Sequence, residues 1–121
     1  MRISRLRHAV PVRPTLAGRA RMESTFFGLA LPALLVERSQ VVIAISPTLS
    51  GLTAGVCGAR GRPLGVLVQD LTGNGALESG LTGSVISRKI AGFEYALLGK
   101  ADLIGVIAPQ FADIRISTVR R

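Results

Sequence analysis

The sequence predicts an α/β fold: a Rossmann-like three-layer fragment with about three to four parallel strands flanked by helices. Three observations carry this. Short aliphatic runs of strand length recur at residues 41–45, 64–68 and 102–108. Segments with helical periodicity separate them, so successive strands are joined by crossovers rather than hairpins, and a parallel sheet follows. The 121 residues are 48% hydrophobic, with mean hydropathy +0.44, which excludes a disordered chain and bounds the fold to one domain or part of one. With no Trp, one Tyr and four Phe, the core must be aliphatic.

The elements follow in order. Residues 1–22 form a basic arm with only a weak strand signal, Arg7 to Val12, bounded by Pro11 and Pro14. Helix signals start at Glu23-Ser24. Phe26, Phe27, Ala30, Leu31, Leu34 and Leu35 then recur at spacings that make one apolar face, and Pro32 predicts a kink. Val41 to Ile45 is a continuous run, four of its five residues β-branched, expected to be buried on both faces. Ser46-Pro47-Thr48 ends it and carries helix-start chemistry for a small-residue helix, Leu49 to Ala59, closed by Gly61 and Pro63. Cys57 in that helix reads as a small core residue. Leu64 to Val68 is the second strand. After a loop, Ser84 to Leu98 is a helix with Ile86, Ile90, Phe93 and Leu97 on one side, and Gly99-Lys100 suits its end. Asp102 to Ala108 is the third strand, and Pro109 to Asp113 begins another helix. The core domain therefore spans 23–113, with a basic tail at 114–121.

The net charge of +8 is unevenly placed. Residues 1–22 hold six Arg and no acid, residues 23–113 hold six basic and seven acidic residues, and residues 114–121 add three Arg. Such ends are either solvated arms or contacts for an anionic partner, a lipid surface or a nucleic acid. Nucleic acid is the less favoured of the two, because stacking aromatics beside the charge are missing. The uncharged stretch from Ser39 to Ala59 is long enough to cross a bilayer, but Ser46-Pro47-Thr48 interrupts it, so it reads as strand, turn and helix. Several chemistries are excluded. One Cys cannot form an intrachain disulfide, and Cys57 with His8 supplies too few ligands for structural zinc. Nothing places a serine beside His8 for a triad, and no P-loop or GxGxxG is present. No metal site is expected.

In an open parallel sheet, ligands bind beyond the carboxyl ends of the strands. Three turns emerge there: Ser46-Pro47-Thr48, Gln69-Asp70 and Ala108-Pro109-Gln110. Asp70 is placed to accept hydrogen bonds from sugar hydroxyls or to act as a base. Equally, it caps the following turn, and Gly73-Asn74-Gly75 makes a bend. Asp70 and Glu78 share one loop, but their spacing sets no geometry.

These residues carry a family resemblance. "VVIAISPTLSGLTAG", "PLGVLVQDLTGNGALESGL" and "FEYALLGKADLIGVIAPQF", preceded by "RHAVPVRPT" and "ESTFFG", resemble the N-terminal, acceptor-binding domain of GT-B sugar-nucleotide-dependent glycosyltransferases of exopolysaccharide and capsule assembly. The resemblance covers about residues 5–113. Thr72-Gly73 stands where that family has an aromatic residue and proline after Gln-Asp-Leu, and residues 1–22 lack its opening strand and glycine-rich loop. The resemblance implies an ancestral hexosyl transfer from a nucleotide sugar to a glycan or lipid-linked acceptor, with Gln69, Asp70, Ser46, Thr48 and Glu78 as acceptor-binding candidates. It implies that the donor domain is missing here, because the chain is a split subunit with the donor domain on another chain, a truncated or degenerate frame, or a fragment. It further implies no cofactor bound by this chain alone, no activity in isolation, and a cytoplasmic location, peripheral at the inner face of the membrane. Three strands are few for a parallel sheet, which predicts marginal stability or self-association. The alternative reading is a non-catalytic α/β binding module whose basic arms contact nucleic acid or a partner protein.

Overall fold

Thr15 starts the first helix. Its extended backbone and its Oγ1, which accepts from Gly18 N at 3.0 Å, satisfy a first-turn amide, so α1 runs Leu16–Val36. That is seven residues earlier than the apolar periodicity alone indicates, because capping chemistry and not hydrophobicity sets the terminus. The helix runs through Pro32. The computed structural model describes residues 3–13, 15–70 and 83–107. Beyond α1 the order is β1 (Val42–Ile45), α2 (Leu49–Ala59), β2 (Leu64–Val68), α3 (Ser84–Leu98) and β3 (Leu103–Val106). The expected α/β fold is therefore present, as a Rossmann-like fragment. The helix expected at Pro109 to Asp113 lies outside the described residues. The weak strand expected over Arg7 to Val12 is not formed. That segment instead lies along α1, with Ala9 N donating to Thr25 Oγ1 at 3.1 Å and the His8 ring edge-on to Phe26 at 5.1 Å.

The sheet is parallel, in the order β1-β2-β3. Val42 pairs with Leu64 and Ala44 with Val66, while Val66 pairs with Ile104 and Val68 with Val106. Two crossovers of the usual right hand that move in the same direction put their helices on the same face. Accordingly α2 packs on β1 and β2 and also on α1 and α3. The core lies between this helical layer and the sheet: Val42, Ala44, Leu64, Val66 and Val68 meet Leu52, Ala59, Leu97 and Leu98. The opposite face stays open among the described residues, with Ile43 and Leu103 71% and 73% exposed. The expectation that Val41 to Ile45 is buried on both faces is thus corrected. Val42 and Ala44 are buried, whereas Val41, Ile43 and Ile45 are exposed, because among the described residues no helix crosses the second face.

Two helices depart from the expected facing. In α2 the inward positions are Leu52, Ala54, Gly55, Gly58 and Ala59, so at 100° per residue Cys57 falls outside and is exposed, not a core residue. In α3, Ser87, Glu94, Leu97 and Leu98 are buried, while Ile86 and Phe93 are each 46% exposed. The helix is rotated from its most apolar stripe, which buries a hydroxyl and a carboxyl.

Close approach between layers depends on missing side chains. A Cβ at Gly58 would stand 2.8 Å from Leu34 Cβ of α1, and one at Gly55 would stand 2.9 Å from Ala44 Cβ of β1. Gly92 in α3 has nothing within 4 Å of such a Cβ. Arg62 then locks the helix ends. Its guanidinium donates to Leu34 O (3.1 Å) and Glu37 O (3.1 Å) at the end of α1, and to Gly58 O (2.6 Å) and Ala59 O (3.0 Å) at the end of α2. It also donates to Ser39 Oγ at 2.8 Å, in the link to β1.

Two outcomes follow for urea denaturation. Gly55→Ala and Gly58→Ala lower stability by about 1–3 kcal/mol, against their helix propensity, whereas Gly92→Ala raises it by about 0.5–1 kcal/mol. Equal gains at all three sites would contradict the packing described. Arg62→Met lowers stability by about 2–4 kcal/mol, and Arg62→Lys restores less than half of that, because an ammonium cannot reach the six carbonyl and hydroxyl acceptors that the guanidinium holds in a fork.

Candidate functional site

The carboxyl ends of β1 and β2 bring two of the predicted turns together. Ser46 is fully buried, its backbone N–H donates to Leu67 O at 3.0 Å, and its Oγ donates to the backbone carbonyl of Asp70. The turn after β1 is thereby tied to the turn after β2. The Ser46-Pro47 peptide is cis. Thr48 takes the N-cap position of α2, with its carbonyl accepting from Leu52 N at 3.1 Å, and its side chain is exposed. Gln69 and Asp70 are exposed on the same rim. Ser46 is therefore the buried strut, and Thr48, Gln69 and Asp70 are the exposed residues of the rim. Glu78, Gly73-Asn74-Gly75 and Ala108-Pro109-Gln110 lie outside the described residues.

The amino terminus of α2 opens onto the same rim. Helix amino termini attract anions, because several amides lack partners and the dipole is positive there. Here the chain supplies its own anion: a Glu23 carboxylate oxygen from α1 accepts from Ser50 N at 2.8 Å. The amide of Ser50 is thus already engaged and is not offered to a donor phosphate, consistent with a surface for polar, uncharged groups. Ser50 Oγ is buried without a hydrogen-bond partner.

The remaining polar residues are placed elsewhere. Asp102, at the far end of the sheet, accepts from Leu64 N at 2.8 Å while its own N–H donates to Leu64 O at 2.8 Å, a clamp between β2 and β3. His8 lies on the segment along α1, with Nδ1 3.2 Å from Leu6 O. Among the described residues no group of three or more His, Cys, Asp or Glu could hold a metal ion, and no helix is long and apolar enough to cross a membrane. Sequence reasoning missed Glu23 and Glu94. Glu23 sits 27 residues from the amide it caps, so no local pattern announces it. Glu94 is 2% exposed, and its place within an otherwise exposed-looking helical stripe gave no signal of burial.

Comparison of the chain with protein-family models, with curated proteins and with solved structures finds no match.

Loss of the buried strut is measurable. Ser46→Ala removes the Ser46 Oγ hydrogen bond to the Asp70 carbonyl and lowers stability by about 1–3 kcal/mol in chemical denaturation. Glu23→Ala costs about 1 kcal/mol and Glu23→Gln less, since an amide oxygen still accepts from Ser50 N.

Proposed function

We propose that the chain is the acceptor-binding portion of a GT-B-type glycosyltransferase system, taking part in hexosyl transfer from a nucleotide sugar to a glycan or lipid-linked acceptor. The observation that carries this reading is the junction of the Ser46-Pro47-Thr48 turn with the Gln69-Asp70 turn at the carboxyl ends of adjacent parallel strands. That is where open α/β sheets take their ligands. The exposed Gln69 amide and Asp70 carboxylate together offer donors and acceptors suited to vicinal hydroxyls, and the neutralised α2 terminus favours an uncharged sugar there over a phosphate. The motif resemblance supports the same assignment. In this reading a donor-binding domain supplies the nucleotide sugar. Without it there is no transition state for this chain to stabilise, and the chain alone is inactive. The arginines of the amino-terminal segment favour contact with an anionic membrane, where lipid-linked acceptors lie.

A glycan array probed with the purified chain tests the acceptor site. Binding to a defined set of oligosaccharides, reduced about tenfold or more by Asp70→Ala, is the expected result, the loss corresponding to one or two hydrogen bonds to a charged group. No glycan binding, or binding indifferent to Asp70→Ala, overturns it. Steeply salt-dependent binding to DNA or RNA in place of glycans would instead favour a nucleic-acid module, the second reading that the exposed Arg5, Arg7, Arg13, Arg19 and Arg21 support.

A further inference from the structure

Among the described residues, the open face of the sheet is an aliphatic surface without a layer upon it. Val41, Ile43 and Ile45 of the first strand region and Leu103 of β3 are 51%, 71%, 49% and 73% exposed. Gly65 and Gly105 carry no side chains on this face, so Leu67 lies between two low positions and a shallow depression of about 440 Å³ forms, bounded almost entirely by apolar atoms. Ile43 is also shared with a second cleft of about 380 Å³, walled by Phe26, Ala30 and Leu34 of α1, by Ile45, and by Ser4 and Leu6 of the amino-terminal segment. The apolar surface therefore runs continuously from the β3 side of the sheet, over β1, to the foot of the basic segment.

We propose that this face is the surface by which the chain seats on an anionic phospholipid membrane, with the sheet aliphatics at the headgroup–acyl boundary and Arg5 and Arg7 on the lipid phosphates. This specifies the membrane contact of the preceding reading and rests on it only in taking a lipid surface as the partner; it needs no glycosyl transfer. Charge complementarity selects the occupant. Arg5 and Arg7 are exposed on either side of Leu6, which lines the cleft, and the first 22 residues contain six arginines and no acid. Two acids border the surface, Glu37 and Asp102, and the Asp102 carboxylate is already engaged by Leu64 N at 2.8 Å. The backbone permits the contact as well. β2, at the centre of the face, is paired on both sides, so its middle presents no unpaired amide or carbonyl to an apolar medium.

Other occupants fit less well. Strands of four or five residues, three abreast, make a face about 13 Å by 14 Å in plan, far short of the roughly 800 Å² per partner of a stable dimer. Two chains of net charge +8 also repel. A nucleic acid would be drawn to the arginines but gains nothing from Ile43 and Leu103. The ring nearest the basic segment, Phe26, is half-buried against His8 and not free for stacking.

Vesicle flotation with the purified full chain tests the proposal, with phosphatidylcholine vesicles containing phosphatidylglycerol compared with phosphatidylcholine alone. The double substitution Ile43→Thr with Leu103→Thr removes two exposed aliphatics while keeping strand-forming, β-branched or small polar character, and circular dichroism checks that it folds. Partition onto the anionic vesicles falls about tenfold or more in this variant, with binding to a soluble polyanion such as heparin unchanged. Arg5→Ser with Arg7→Ser weakens partition at low salt and has little effect at high salt. Full partition by the threonine variant overturns the proposed face while leaving membrane contact through charge alone. Equal binding to neutral vesicles, or no binding to either kind, overturns the lipid surface itself. Loss of a concentration-dependent dimer in sedimentation, with vesicle binding unaltered, assigns the face to a second copy instead. Glycan binding is read separately, so a failure here is distinct from a failure of the acceptor site.

Discussion

Arg62 ties together the ends of two helices whose C-terminal carbonyls would otherwise converge on one another. The last turns of α1 and α2 both point their partial negative charge at the same place, and the planar guanidinium enters between them, holding Leu34 O and Glu37 O on one side and Gly58 O and Ala59 O on the other. Because Ser39 is held as well, the link into β1 leaves α1 at a set angle. The position of β1 against α2 depends on this, and so does the contact of Gly58 with Leu34. The junction of the Ser46 and Asp70 turns lies at the other end of the same strands, so the rim of the candidate site inherits its geometry from a cation at the opposite end of the sheet.

The second constraint is the strand order. Sequential order with crossovers of one hand leaves a two-sided problem with a one-sided solution: α2 and α3 cover the face of Val42, Ala44, Leu64, Val66 and Val68, and among the described residues the face of Ile43, Leu67 and Leu103 is open. Doubly wound sheets avoid this by reversing strand order at a switch point. Among the described residues the order has no such reversal. The open aliphatic face and the basic amino-terminal segment meet at Ile43, Ser4 and Leu6, which line one cleft.

Glu23 joins fold to site. By accepting from Ser50 N it ties the first helix to the start of the second and removes part of the positive end of α2 from the rim. Asp70 and Gln69 consequently lie exposed beside a helix terminus whose attraction for anions is partly satisfied from within.

Much of this was legible from residue order. The runs at Val42–Ile45, Leu64–Val68 and Leu103–Val106 and the helices Leu49–Ala59 and Ser84–Leu98 stand where periodicity and turn chemistry put them, because each is specified by contacts within a few residues. The placing of Ser46, Thr48, Gln69 and Asp70 at strand ends follows from the same local signals. What the linear pattern could not supply is which side of each element is inside. Val41 to Ile45 has the composition of a doubly buried strand, yet its burial depends on whether a helix crosses the second face, and that is settled by strand order. The apolar stripe of Ile86 and Phe93 would turn inward in an isolated amphipathic helix, but in the assembled chain, where this helix packs against α2, Ser87 and Glu94 are buried instead. Cys57 is outward for the same reason. Arg62 and Glu23 act across 25 and 27 residues of sequence, so only the assembled chain brings them to the groups they hold. Local chemistry determined the elements and their ends; burial, charge pairing and the open face were decided by tertiary structure, because each depends on neighbours that are distant in sequence.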